Sequence, residues 1–443
     1  MSHARSFTRQ IGAFLTACLI GSLLVTPAVA GSAPLVRSSS AQAIDTDPPL
    51  HSPDAGQRQV ETCDELRQRL PELARAGQRT ASCDQAVTTP SAKARNAVKA
   101  DTGKVGSYTI VPLPQWCLEK AFTGWWYTRY ASCDISERHV AIIDVTTQQP
   151  LGTMNFVQYA YTYSTDISST WINQIEVKPV TQVGVTAEAR AQGTATCAGA
   201  CSTTSSDFPS QPVSLTKSGF GEGRFASTIP ATGGVGSANT TWTRWFTGTT
   251  WTATNQVTIT PPQRVRCDSM TRGTQFPGCV FPDYAPQFNV SSATNPNFAG
   301  HLRNALASGL PGGGWPNGTP LTRMMDEADG RRNGDRACPQ AGNGGYPRPP
   351  GFSCDEYPFR STWEGALTQT YLSPPNPNPP MPVVPGRTFS GCQIPQLGSG
   401  TGPQGWSACM IPAGENSSGG GLLTSFYRSN RVIELDHFYV YVY

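Results

Sequence analysis

Ser353-Cys354-Asp355-Glu356-Tyr357-Pro358-Phe359-Arg360-Ser361-Thr362-Trp363-Glu364-Gly365 gathers acids, an arginine and a cysteine in a chain that is only 14% charged. Read as a strand, the stretch points Asp355 and Glu356 to opposite faces. One carboxylate can then meet a water or a cation while the other braces a neighbouring element. Pro358 ends regular pairing soon afterwards, which sets the acids at a strand end, where binding and catalytic groups concentrate.

Working outward, residues 406–411 read as a second strand running into Pro412. Glu415 and Asn416 then lead into a Gly-rich turn and a helix. Phe438, Val440 and Val442 alternate with Tyr439, Tyr441 and Tyr443, a period-two strand with the first three facing the core. The order is strand with acid, strand, helix with Asn near its start. Upstream, Leu302 and Leu306 share a face of a short helix over 301–307, stopped by Gly309. His301 at its start is a candidate ligand or base, or simply a solvated helix-start residue. Thr319 as N-cap and Pro320 at the first position predict a further helix, with Leu321, Met324 and Met325 as its apolar face. It ends in an Arg-rich run, 329–336, whose planar guanidinium groups suit phosphate oxygens.

Asp355-Glu356-Tyr357-Pro358, the downstream Glu364-Gly365 and the later Glu415-Asn416 resemble the secreted bacterial NucA/NucB-type deoxyribonucleases. The resemblance covers residues 298–443. It implies an α+β domain with a reduced ββα-metal core, in which an aspartate replaces the usual histidine base. The activity implied is metal-assisted hydrolysis of DNA phosphodiester bonds with little sequence specificity. Carried onto this chain, Asp355 is the general base and Asn416 the first metal ligand through its amide oxygen. Glu356 or Glu364 adds a carboxylate or holds a metal-bound water, and Arg360 balances charge on phosphorus. Arg428, Arg431 and Arg332 are candidate contacts to substrate phosphates. Hard oxygen ligands favour Mg2+ or Mn2+, with Ca2+ an alternative, over zinc. An ordinary Asp, with a pKa of about 3.9, is a weak base unless neighbours or burial raise it. Two departures stand out: the interval from Asp355 to Asn416 is longer than in compact members, and Ser417 stands where they carry an arginine.

The rest of the chain sets the compartment. Arg5 and Arg9 precede an apolar run over 11–25, and Ala28-Val29-Ala30 offers a cleavage site, so residues 1–30 read as a signal peptide. No later stretch is apolar enough to span a membrane. Of 13 cysteines, Cys18 lies within the signal, and the other 12 fall into sequence-local couples. An even count in an exported chain reads as a disulfide framework. Nearest-neighbour pairing joins Cys338 to Cys354 and Cys392 to Cys409, the first clamping the strand that carries Asp355. A zinc site fits poorly, since there is no Cys-x-x-Cys pair.

Residues 31–105 read as a polar linker or propeptide-like segment with one helix over 64–76, restarted at Pro71. Residues 106–266 are rich in Thr, Val, Tyr and Trp in short alternating runs, such as 174–178 and 256–260, and predict an antiparallel β-sandwich of unknown role and partner. Trp125, Trp126, Trp242, Trp245 and Trp251 form either its core packing or a binding platform. A Pro-rich, disulfide-bearing linker over 267–297 connects it to the last domain, in which residues 372–387 make a polyproline-like excursion. The whole reads as a monomer. A net charge of +3 does not by itself announce a nucleic-acid binder. The stretch 301–443 holds ten Arg, no Lys and ten acids, so its charges must be segregated if it holds a polyanion. Two other classes fit the residues: a metal-independent glycosidase using Glu356 and Glu364 as paired carboxylates, and a secreted glycan- or surface-binding β-protein with an inactive last domain.

Overall fold

The β-branched and aromatic runs of the first half form two facing antiparallel sheets, as their alternation predicts. In this computed structural model, residues 48–52, 62–101, 111–342, 344–370 and 384–443 are described. The signal-peptide expectation over 1–30 and most of the proline excursion lie outside them. After a two-residue strand, Leu50–His51, comes helix α1 (Cys63–Arg75), capped by a reciprocal Thr62–Glu65 box. The chain continues through β1 (Thr80–Ala86), helix α2 (Ala92–Asp101) and the short helix α3 (Gln115–Glu119). Three long strands follow, β2 (Ala131–Asp144), β3 (Pro150–Tyr163) and β4 (Thr170–Gly184). The chain crosses to the second sheet in β5 (Arg190–Gly199) and returns in β6 (Cys201–Asp207) and β7 (Gly219–Ser227). It crosses again to β8 (Val235–Thr247), β9 (Val257–Ile259), β10 (Val265–Asp268) and β11 (Gly278–Val280).

Phe156 of the first sheet packs edge-on to Phe246 of the second at 5.1 Å, and Trp242 Nε1 donates to the carbonyl of Asn173 across the gap. Trp125, Trp242 and Trp251 are buried in this core, while Trp126 and Trp245 are half-buried. Trp125, Trp242 and Trp251 therefore serve packing. Charge is buried here too: Asp84 of β1 lies between Arg138 (2.8 Å) and Arg244 (2.7 Å). Arg244 sits between the rings of Phe156 and Phe246. Burial alone would raise the Asp84 pKa, but the two guanidinium groups hold it below its ordinary value.

Two segments differ from their sequence reading. Residues 62–101 are not a linker: β1 pairs along β2 from Thr80↔Asp144 to Ala86↔Arg138, and Cys63–Cys83 ties α1 to β1. Pro71 lies inside α1 and does not restart it. The Pro-rich linker is likewise part of the sandwich, since Cys267 and Cys279 face each other in the β10–β11 pair and are joined. Local turn and proline signals concealed strands whose partners are remote.

The second half opens with β12 (Gln287–Val290) and helix α4 (Pro296–Ala307). Then come β13 (Leu321–Thr322), helix α5 (Glu327–Ala337) and β14 (Phe352–Tyr357). The chain closes with β15 (Gly386–Arg387), β16 (Trp406–Pro412), helix α6 (Ala413–Ser429) and β17 (His437–Val442). The strands make two small sheets, ordered β12-β17-β13 and β14-β16-β15. The helix expected from a Thr319 cap is absent: Leu321–Thr322 pairs with β17, and the helix starts about two turns later, at Glu327. Its cap is Asp326, whose carboxylate accepts from Asp329 N at 2.8 Å. The Arg-rich run lies within α5, where Asn333 is buried and binds the 360–368 loop. Phe438 and Val440 face the core as expected, but Tyr439 is buried as well, its hydroxyl donating to the carbonyls of Pro316 and Gly318.

The two halves belong to one compact unit spanning residues 38–443. Arg129, from the loop before β2, donates to the carbonyls of Asn430 (2.8 Å) and Arg431 (3.1 Å) and pairs with Asp436 at 3.0 Å. Arg266 of β10 pairs with Asp436 too. In return Arg431 reaches into the first half, with Nε 2.9 Å from Asp268 Oδ2 and Nη1 2.6 Å from the carbonyl of Asp166.

Among the described residues the twelve cysteines form six nearest-neighbour disulfides, including Cys338–Cys354 and Cys392–Cys409. That density fits an oxidising compartment. Among the same residues no helix is long and apolar enough to cross a membrane.

Candidate functional site

Strand β14 lies at the edge of its sheet, paired on one side only with antiparallel β16, in the register Asp355↔Cys409 and Tyr357↔Ser407. Helix α6 follows β16 directly and packs against both strands, so the expected order of strand, strand and helix is present. A cavity of about 1240 Å³ runs along the β14 side of this unit. Four consecutive residues, Ser353 to Glu356, line it, as do Asn416 and the glycines of α6. Because β14 is an edge strand, the cavity reaches side chains from both of its faces. Asp355 and Glu356 point to opposite sides of the sheet, yet both meet the same space.

Asp355 is 5% exposed. Its Oδ2 lies 2.6 Å from His301 Nδ1, and His301 Nε2 lies 3.0 Å from Ser407 Oγ. The Ser407 hydroxyl also reaches the carbonyl of Tyr357 at 3.3 Å. The helix carrying His301 starts at Pro296, a full turn before the sequence reading, so the histidine is buried mid-helix rather than solvated at its start. Glu415 explains the earlier start: its carboxylate accepts from the backbone N–H groups of Asn297 and Phe298, capping α4 from another helix.

Glu356 is half-buried, with protein on most sides and a window onto the cavity. Its neighbour on that face is the Cys338–Cys354 bridge, with Cys338 Sγ 4.0 Å from Glu356 Oε2. Burial first, and then the charge of Asp355, push its pKa up to about 7, against the opposing pull of Arg360. The neighbouring carboxylates Asp355 and Glu356 thus bring negative charge to this wall of the cavity, with Arg360 opposing it.

Asn416 is not the helix cap, since α6 begins at Ala413 after Pro412. Its Nδ2 donates to Ser353 Oγ (2.9 Å) and to the carbonyl of Cys354 (3.0 Å). Both amide hydrogens are thereby committed to Ser353 and Cys354 of β14, and Oδ1 is left as the acceptor. Asp355, Glu356 and Asn416 together offer two carboxylates and an amide oxygen, a hard donor set. Among the described residues no group of three or more His, Cys, Asp or Glu side chains converges on a metal position.

Exposed arginines line the cavity as well: Arg272, Arg331, Arg360 and Arg428. Arg428 Nε donates to the carbonyl of Arg272, and Arg272 pairs with Glu327. Arg323 also lines it, but its guanidinium is stacked 4.1 Å over Tyr427 and donates to the Ser361 carbonyl. Arg272 and Thr271 come from the β10–β11 loop of the sandwich, which the sequence reading assigned to a linker.

Of the residues singled out in sequence, Asp355, Glu356, Arg360, Asn416 and Arg428 share the cavity. Three do not. Glu364 is absent from the lining and accepts from Thr322 N at 2.9 Å, anchoring β13. It therefore does not face Glu356 across a groove, as a glycosidase pair must. Arg332 turns to Asp329 one turn back at 3.1 Å, and its neighbour Arg331 takes the cavity position. Arg431 is fully buried and held by Asp268, so no substrate phosphate reaches it without breaking the joint between the halves. Sequence reasoning missed the Asp355–His301–Ser407 chain and Arg272, both made by contacts between remote segments. Periodicity from an Asp326 cap, by contrast, would have separated Arg331 from Arg332. Comparison with protein-family models, with curated proteins and with solved structures found no match for this chain.

Proposed function

We propose that this protein is a secreted endonuclease that hydrolyses DNA phosphodiester bonds with little sequence preference, assisted by a divalent cation. The observation that carries the reading is the shared cavity, which Asp355, Glu356 and Asn416 line together with exposed arginines. The NucA/NucB-like motif supplies the reaction class.

In this reading Asp355 takes a proton from a water whose oxygen attacks phosphorus, and the bond to one ester oxygen breaks. Arg360, beside Glu356, balances negative charge that grows on the phosphoryl oxygens. Arg272, Arg331 and Arg428 hold flanking phosphates, which positions the strand without reading its bases. Asn416 Oδ1 and Glu356 would hold the cation, Mg2+ or Mn2+ by their donor chemistry. When bound, such an ion polarises the phosphate and stabilises the leaving oxygen. It would also offset the negative charge that raises Glu356.

The reading is tested by incubating the purified chain lacking residues 1–30 with supercoiled plasmid, linear duplex, single-stranded DNA, RNA and a polysaccharide panel. The expected result is DNA cleavage that stops on addition of chelator and resumes when Mg2+ or Mn2+ is restored. Cleavage that survives chelator, or action on glycans alone, would replace this reading.

A further inference from the structure

The strand that carries Asp355 is fastened from behind by a polar chain that never reaches solvent. His301 is 2% exposed and Ser407 fully buried, yet each ring nitrogen of the histidine has a partner. Asp355 and Ser407 lie on the same face of the β14–β16 pair as Tyr357 and Cys409, and α4 covers that face. The surroundings are otherwise apolar: Leu302 and Tyr357 belong to the same core cluster, and the Phe389 ring is 6.1 Å from the imidazole. Apolar residues of similar volume would fill such a place at least as stably as a buried polar chain. The chain ends, moreover, at the one member that opens onto the cavity.

We infer that His301 and Ser407 are positioning residues that fix the Asp355 carboxylate, turning Oδ2 into the protein so that Oδ1 faces the substrate. The inference rests on the proposed phosphodiesterase reading and adds to it a pair outside the NucA/NucB-like motif. The geometry gives the mechanism. An aspartate at a strand end has two side-chain torsions, and a base must meet its water within hydrogen-bond reach. His301 Nδ1–H donates to Oδ2 at 2.6 Å. Ser407 Oγ lies 3.0 Å from Nε2 and 3.3 Å from the Tyr357 carbonyl, its single hydrogen serving one of the two at a time, so rotating the ring breaks its contacts at both ends. The register pair Tyr357↔Ser407 makes this fixture part of the sheet rather than of a loop.

The test compares plasmid-cleavage kinetics of the full mature chain with those of His301→Leu, His301→Asn and Ser407→Ala, each checked for folding by thermal melting. Asn can place an amide N–H near the position of Nδ1, so it acts as the conservative replacement. His301→Leu is expected to lower kcat by about 10- to 100-fold with KM within about threefold, as loss of an orienting partner does. His301→Asn is expected to recover a large part of that loss, and Ser407→Ala to show a smaller fall in kcat alone, about threefold or more. A folded His301→Leu protein with wild-type kcat would overturn the assignment. If that variant does not fold, wild-type kcat in Ser407→Ala overturns it instead, and a reduced kcat at unchanged KM supports it. A crystal structure of the Leu or Ala variant gives a readout independent of substrate. A displaced Asp355 carboxylate supports the inference, and an unmoved one refutes it. If the wild-type chain cuts no DNA, the phosphodiesterase reading fails by itself, and the crystallographic comparison still decides the positioning role.

Discussion

Asp355→Ala is expected to reduce the rate of plasmid cleavage by on the order of 10²–10⁴, the usual contribution of a positioned base. KM should change little. The carboxylate is 5% exposed and its removal leaves His301 Nδ1 without its partner, so stability should fall by about 1–3 kcal/mol while the chain stays folded. Asp355→Asn separates geometry from basicity. It keeps nearly the shape of the side chain and can still accept from His301, but it cannot take a proton from water. Loss of cleavage in the Asn variant at unchanged DNA affinity would assign the role to proton transfer. Retained cleavage in either folded variant would move the base elsewhere in the cavity, with Glu356, whose pKa is pushed up to about 7, the next to examine.

Arg431→Ala is expected to destabilise the whole chain by about 3–5 kcal/mol, the cost of leaving a buried charge without its partner. The group left behind is Asp268, fully buried and bonded by Arg431 through Nε and Nη2 at 2.9 Å each. The measurement is the denaturant midpoint, and a shift within experimental error would refute the account of the joint. A pH effect goes with it. Burial would raise the Asp268 pKa, but the hydrogen bonds and charge of Arg431 outweigh burial and hold it below the ordinary value. A depressed folded-state pKa stabilises the protein above the unfolded value of about 3.9, and that stability is lost as pH falls through the folded value. Acid unfolding of the wild type should therefore set in below about pH 4, and the Arg431→Ala protein should lack this share of the dependence. Asp436, shared by Arg129 and Arg266, couples the same two halves. The second half is thus tied to the sandwich, which contributes Arg272 to the lining of the cavity.

What could be read in the sequence was local. The 353–365 stretch announced a strand end, and β14 stops at Tyr357 before Pro358. The cysteine couples close loops of 4 to 20 residues, short enough that nearest neighbours found each other. Alternation gave the sandwich strands because period two survives wherever one face is buried. What failed depended on distant partners. Thr319-Pro320 looks like a helix start, but Leu321–Thr322 is claimed by β17, more than a hundred residues later. Arg431 and Arg428 sit in one short basic run, yet one is buried in the joint and the other lies at the rim, a difference set by Asp268 and Gly273 of another sheet. His301 gave no local sign of its partner because Asp355 reaches it only through the packing of α4 on the β14–β16 pair.

The most direct measurement is the initial rate of supercoiled-plasmid cleavage as Mg2+ is titrated into chelator-stripped protein, wild type beside Asn416→Ala. Asn416 is chosen because its fixed Nδ2 leaves only Oδ1 for a ligand. The account predicts a saturable dependence on Mg2+ in the wild type. In the variant the curve should move to about 10-fold or more higher Mg2+, or activity should be lost, with folding retained. Cleavage without any divalent cation, or superimposable curves for the two proteins, would contradict it.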